Sequence, residues 1–165
     1  IRDSQQRIEA MSLIHQKLYT NQNITEINIK EFITDLVDNL KNTYCDDNVH
    51  IQLNLKVENE TLNVDKAIPL SLIINELVSN ASKHAFKKNT NPLLTIDLTL
   101  ANNIIELVVA DNGEGINIED WNSKEDSFGK ELIKTFVKQL KGFLHVEVLN
   151  GTQFTLYFPK DITHK

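Results

Sequence analysis

The run Asn75-Glu-Leu-Val-Ser-Asn80-Ala-Ser-Lys-His84 brings a carboxylate, amides and two cationic or titratable groups into one short stretch. Glu76, Asn80 and His84 are spaced i, i+4, i+8, so on a helix their side chains stand one above another, with Lys83 alongside. An Asn amide oxygen can enter the shell of Mg2+, which takes hard oxygen ligands and keeps several waters. Lys83 and His84 could meet phosphate oxygens, and Glu76 could polarise a water or stand behind the metal. The bland alternative is a solvated helix face with a Glu–Lys pair. Asn75 and Asn80 weigh against it, because Asn is a poor helix former and both sit mid-helix.

Asp111-Asn-Gly113-Glu-Gly115 places an acid and two glycines where a strand ends. The glycines let backbone approach a flat ring closely. A carboxylate facing the exocyclic amine of adenine accepts its hydrogen and so prefers adenine over guanine. Three other readings compete. A dinucleotide-binding loop needs a third glycine where Ile118 stands, followed at once by a helix. A calcium loop needs acids or amides at the positions of Gly113 and Gly115. A plain Asp-Asn-Gly turn is the third. Taken together, the two segments look like opposite walls of a nucleotide pocket.

Positioning these residues requires a scaffold, and the hydrophobic pattern supplies one. Residues 3–19 carry Ile8, Met11 and Leu18 at helical spacing, with Ile14 close to the same stripe. Such a lone helix needs something to pack on, a partner copy for example. A second helix is expected over 30–44, with Phe32, Ile33, Leu36, Val37 and Leu40 inward and Thr25 or Asn28 at its start. Val49–Val57 alternates as a half-buried strand. A turn region covers 58–63. The helix bearing the polar stripe runs over 66–86, with Pro69 near its first turn, where proline is tolerated. Strands follow over 94–100 and 104–110, then a long mobile loop over 112–128, a helix over 129–141, and strands over 143–149 and 153–158 joined at Asn150-Gly151. Hairpins mixed with helices predict an α+β two-layer sandwich, not a doubly wound parallel sheet.

Bulk properties narrow the function classes. At 165 residues the chain builds one domain, with room for a short N-terminal extension. With 23 acidic against 17 basic residues, the net charge of −6 argues against nucleic acid as a partner. The single cysteine, Cys45, excludes an intrachain disulfide and a cysteine metal cluster, and fits a reducing, cytoplasmic setting. The polar, charged N-terminus is not signal-like, and a start at Ile1 without Met is expected of a piece of a longer protein.

Asn75–His84 resembles the N-box, and Asp111-x-Gly113-x-Gly115 the G1 box, of the ATP-binding domain shared by sensor histidine kinases, DNA gyrase, Hsp90 and the MutL proteins (the GHKL, or HATPase_c, fold). Arg7–Tyr19 and Ala67–Phe86 are similar to the histidine kinase subfamily with the HisKA_2 dimerisation region. The resemblance implies that residues 1–20 end a dimerisation and phosphoacceptor region and that 21–165 form the catalytic domain. It implies Asn80 as a Mg2+ ligand, Glu76 as the N-box acid, and Lys83 and His84 near the phosphates of ATP. Asp111 would bind the adenine amino group, Gly113 and Gly115 would shape its wall, and Thr152, in Gly151-Thr152-x-Phe154, would help hold Asp111. Residues 112–128 would be the ATP lid. Ser127-Phe-Gly129 resembles the start of the G2 box, but Lys130-Glu131 departs from its usual Ser-Leu-Gly-Leu or glycine-rich form. Gly129 still opens a helix whose amides could meet phosphate. The phosphoacceptor histidine would lie upstream of residue 1, His15 being a poor substitute. His50, His145 and His164 read as strand-face or tail residues. A histidine kinase fragment would thus bind Mg-ATP, serve a histidine on the missing helix and a response regulator beyond it, and form a homodimer in the full protein. It would lack autophosphorylation alone. A degenerate module for weak nucleotide binding or dimerisation is the alternative, and an ATP hydrolase or anti-sigma-type serine kinase a further one.

Overall fold

The computed structural model describes residues 25–123 and 127–161, together with Gln5, Ile8, Met11, Ser12, His15, Gln16 and Tyr19. Those isolated residues are helical and exposed, with the His15 and Tyr19 rings stacked at 4.4 Å. Ile14, Leu18, His164 and the middle of the expected lid, 124–126, lie outside the described residues.

The elements are β1 (Glu26–Asn28), α1 (Ile29–Tyr44), β2 (His50–Lys56), β3 (Thr61–Asn63), α2 (Val64–Asn80), a π-helical turn (Ala81–Ala85), β4 (Leu93–Ala101), β5 (Ile104–Asp111), α3 (Ile118–Asn122), α4 (Phe128–Gln139), β6 (Phe143–Val148) and β7 (Thr152–Pro159). The main sheet has the order β2-β4-β5-β7-β6. Every neighbouring pair is antiparallel except β2–β4, which run parallel because α2 returns the chain to the same end. One face of the sheet carries Ile96, Leu98, Ile105, Leu107, Leu156 and Phe158, all nearly fully buried against α1, α2 and α4. This is the expected two-layer α+β sandwich.

Local chemistry sets the element ends. Asn28 caps α1 by accepting from the Glu31 N–H (3.0 Å), and Asn63 caps α2 by accepting from the Asp65 N–H (2.8 Å). The Asn63 cap starts α2 two residues before its expected beginning, so Pro69 sits inside the helix and not in its first turn. The expected turn over 58–63 ends in a strand, β3, which pairs with β1. Asn102 and Asn103 both take positive φ (52° and 63°), the geometry of a tight hairpin turn whose twist matches the strands it joins.

Helix α2 is buried on nearly all sides. Ser71, Asn75, Glu76 and Ser79 are as buried as its aliphatic residues, so the solvated-face reading fails at Glu76, whereas Asn80 and Lys83 are half-buried and His84 is exposed. Among the described residues, no buried side-chain nitrogen or oxygen lacks a hydrogen-bond partner.

Candidate functional site

A cleft of about 470 Å3 opens between the C-terminal end of α2 and the ends of β5 and β7, within the size range of small-molecule sites. Asn80, Ala81, His84 and Ala85 form one wall; Asp111, Gly115 and Thr152 form the other; Leu94, Val109 and Phe154 make an apolar floor. The two segments singled out in the sequence therefore do face each other.

The α2 wall owes its shape to the π-helical turn. A π turn closes i→i+5 bonds in place of i→i+4 and is common at functional sites. The expected stack holds only in part. Asn80 and His84 line the cleft, but Glu76, only 3% exposed, does not. Lys83 does not line it either; its ammonium lies 5.7 Å over the Tyr44 ring, a cation–π contact on the α1 side. Tyr44 holds this corner from below. Its hydroxyl donates to Asn75 Oδ1 (3.2 Å), and its carbonyl accepts from the Ser82 hydroxyl.

The opposite wall is stitched backbone. Asp111 Oδ1 accepts the N–H of Gly113 (2.9 Å) and of Thr152 (3.2 Å). Burial pushes the Asp111 carboxyl above the usual carboxylate range, and these two N–H donors oppose the shift. Gly113 does not line the cleft. Its hydrogen faces the π turn, where a Cβ would fall 2.2 Å from the Ala85 carbonyl oxygen. Gly115 does line the cleft, at φ +77° and close to Val148. Gly151, read in the sequence as a turn residue, has a second reason to be glycine: a Cβ there would sit 1.9 Å from the Asp111 carbonyl oxygen.

Asn112 is a residue that sequence reasoning passed over. Its Oδ1 accepts from the Leu93 N–H (2.8 Å), its Nδ2 donates to the Asn91 carbonyl (2.9 Å), and the Asn89 amide donates to its carbonyl (2.8 Å). The 89–93 connector is thereby fastened to the strand end that carries Asp111. Its signal in the sequence was the crowd of Asn residues on both sides of the gap.

The segment expected as a long mobile loop contains α3. Asn117 caps it, accepting from the Glu119 N–H (2.9 Å). Trp121 lines the cleft and meets Phe154 edge to face, with centroids 5.2 Å apart and planes at 73°. Ser127 caps α4, and Gly129 is buried there without lining the cleft. Lys130, also on the cleft wall, is 5% exposed; its ammonium donates to the carbonyls of Ser123 (2.8 Å) and Asp120 (3.3 Å). The cleft-lining place of Trp121 and the direction taken by Lys130 were missed in the sequence, and Phe154 was read there only as part of the Gly151-Thr152-x-Phe154 motif. No group of three or more His, Cys, Asp or Glu side chains suited to a metal occurs among the described residues. Any divalent ion here would need the Asn80 amide, water and oxygens brought by a ligand, a set that suits Mg2+.

Comparison with known proteins places this geometry. The family described as "Histidine kinase-, DNA gyrase B-, and HSP90-like ATPase" matches residues 65–162, and the HisKA_2 histidine kinase family matches residues 1–44. The sensor histidine kinase PdtaS of Mycolicibacterium smegmatis is 28% identical over 161 residues, which are 95% of this chain and 32% of the relative. The chain thus spans about a third of that protein's length. An anti-sigma F factor of Priestia megaterium is 27% identical over 112 residues, 61% of this chain and 74% of the relative. The histidine kinase domain of the Erythrobacter litoralis EL346 blue-light activated kinase shares the fold, with a TM-score of 0.81 at 19% identity over 94% of this chain and 74% of that one. No helix among the described residues is long and apolar enough to cross a membrane. The chain belongs to the histidine kinase-, DNA gyrase B- and HSP90-like ATPase family.

Proposed function

We propose that this chain is the ATP-binding catalytic part of a two-component sensor histidine kinase, and that residues 21–165 do this work while 1–20 end the dimerisation region. The carrying observation is the Asp111 carboxylate, held by two backbone N–H groups at the head of an apolar slot. A flat, amine-bearing base suits that slot: its faces meet Leu94, Val109 and Phe154, and its exocyclic N–H donates to Asp111. Thr152 contributes by fixing the carboxylate. Across the cleft, Asn80 offers its amide oxygen to Mg2+ and His84 faces the phosphates. Bound Mg2+ would supply charge neutralisation for phosphoryl transfer. The chain's own residues bind, orient and exclude water.

The γ-phosphoryl group would pass to a histidine outside these 165 residues, and from there to an aspartate of a response regulator. Glu76 and Lys83, off the cleft surface, make no nucleotide contact in this reading. Asn80 alone meets the metal.

A second reading, a degenerate module that binds nucleotide weakly, has one observation behind it. The basic side chains on the cleft wall are His84 and Lys130, and the Lys130 ammonium is already engaged by two carbonyls. Isothermal titration with ADP and GDP, each with Mg2+, separates the readings. The kinase reading expects micromolar ADP binding, and Asp111→Asn is expected to weaken ADP about tenfold while leaving GDP within about twofold. No heat at millimolar ADP would establish the degenerate module, and equal losses for both nucleotides would remove the base-binding role of Asp111.

A further inference from the structure

We propose that Trp121 is a base-contacting specificity residue of the cleft, and that Lys130 is the positioning residue that holds it there. The inference rests on the nucleotide reading above and adds a wall to the site.

Helix α3 has five residues and buries none of them. A helix that short has no stability of its own in water, and it meets the hydrophobic core through the partly buried Trp121. Yet it sits in a defined place, because its first turn is ordered locally and its other end is tied to α4. Asn117 caps the first turn, accepting from the N–H groups of Glu119 and Asp120. The Lys130 ammonium takes the carbonyls of Asp120 and Ser123 at the other end, and lies 5.9 Å from the centroid of the Trp121 ring. Burying a lysine ammonium is costly unless its donors are used. Here two of its hydrogen bonds go to the α3 segment. The consequence of the tether is the placement of one ring, that of the only tryptophan in the chain.

The ring is set against Phe154, near the Asp111 end of the cleft. Phe154 pairs in register with Val109, and Thr152, whose N–H reaches Asp111, is two residues away on the same strand face. Two ring planes at 73° form a corner. A flat base seated in that corner lies against one ring and meets the edge of the other, both favourable for aromatic systems. The cleft keeps its volume with Trp121 counted among its walls, so the indole bounds the space and does not fill it.

The test uses Trp121 as its own reporter, since its emission is free of other indoles. In the nucleotide-free protein, Lys130→Met is expected to shift emission to the red and to raise acrylamide quenching about twofold, and Lys130→Arg to restore both toward wild type. In calorimetry with Mg-ADP, Trp121→Ala is expected to weaken binding about tenfold and Trp121→Phe by no more than about threefold. Lys130→Met should weaken ADP about fivefold, with Lys130→Arg closer to wild type. Thermal midpoints check that all variants fold. If Lys130→Met leaves emission and quenching unchanged, or if Trp121→Ala binds ADP within twofold of a wild-type protein that itself binds, the inference is overturned and the nucleotide reading stands. If wild type binds no adenine nucleotide, both fall.

Discussion

The two sides of the cleft are built by opposite means. The Asp111 side is backbone packed on backbone: at Gly113 and Gly151 a single added methyl would overlap a neighbouring carbonyl, and Asp111 Oδ1 is shared by two N–H groups. The α3 side is joined to its surroundings through side chains, namely the Lys130 ammonium and the Trp121 ring on Phe154 and the core edge. Packed interiors do not deform continuously, whereas a five-residue helix held in this way can move and return. The contrast suggests a division of labour in which the strand side fixes where a base sits and the α3 side answers to its arrival.

The sharpest way to break this comparison is Gly151→Ala. Its φ of +124° lies where L side chains are strained, and its Cβ would fall 1.9 Å from the Asp111 carbonyl oxygen and 2.9 Å from Oδ1. A cost of about 3 kcal/mol or more is expected, a fall in Tm of roughly 10 °C, with loss of nucleotide binding. Differential scanning calorimetry beside ADP titration reads both. A Tm close to that of the α3 variants would mean that the strand side is no more rigid than the other.

Gly113→Ala is expected to cost less, about 2 kcal/mol, because φ there is unstrained and the π turn can yield. Its Cβ would meet the Ala85 oxygen at 2.2 Å and the Ala85 Cβ at 2.6 Å. Adding Ala85→Gly removes the second clash and leaves the first, so the double variant should recover only part of the loss in Tm. Full recovery would show that the side-chain clash alone keeps Gly113 a glycine.

These two glycines also show how far the sequence could be read. Asn150-Gly151 is legible as a turn, because turn chemistry is local. That Gly151 also presses on Asp111 is not legible, since it depends on β7 lying beside β5. The same division runs through the molecule. The alternation of Val49–Val57 and the inward set Phe32, Ile33, Leu36, Val37 and Leu40 were readable, and these helix residues are buried as expected. The parallel pairing of β2 with β4 and the β1–β3 ribbon were not, because period reports which face is buried and not which strand is neighbour. In the site, Asn80, His84, Asp111, Gly115 and Thr152, read from separate segments, line one cleft. Glu76 and Lys83 do not line it: Glu76 is buried within α2, and Lys83, inside the π turn, lies over the Tyr44 ring. Trp121 was hidden in a stretch without periodicity, and Lys130, though on an expected helix, gave no sign of the carbonyls it would reach. A short capped helix tethered from elsewhere leaves no hydrophobic pattern behind.

The smallest expected effect is a shift of sign with pH at Asp111. Burial raises its folded-state pKa more than the Gly113 and Thr152 N–H groups lower it. For an acid with a raised folded pKa, the stabilising contribution is full below the unfolded value, about 3.9, and is lost as pH rises through the folded one. At neutral pH the ionised carboxylate therefore opposes folding, and Asp111→Asn, which keeps an acceptor for both N–H groups, is expected to raise Tm by roughly 1–2 °C. The advantage should vanish on acidification. Binding runs the other way, since the base amine needs the carboxylate. Wild-type ADP affinity should weaken as pH falls through a range above that of an ordinary carboxylate, and Asp111→Asn should lack that step. Paired titrations of both proteins from neutral to mildly acidic pH decide it. Parallel affinity profiles would assign the pH step to another group and remove Asp111 as its source.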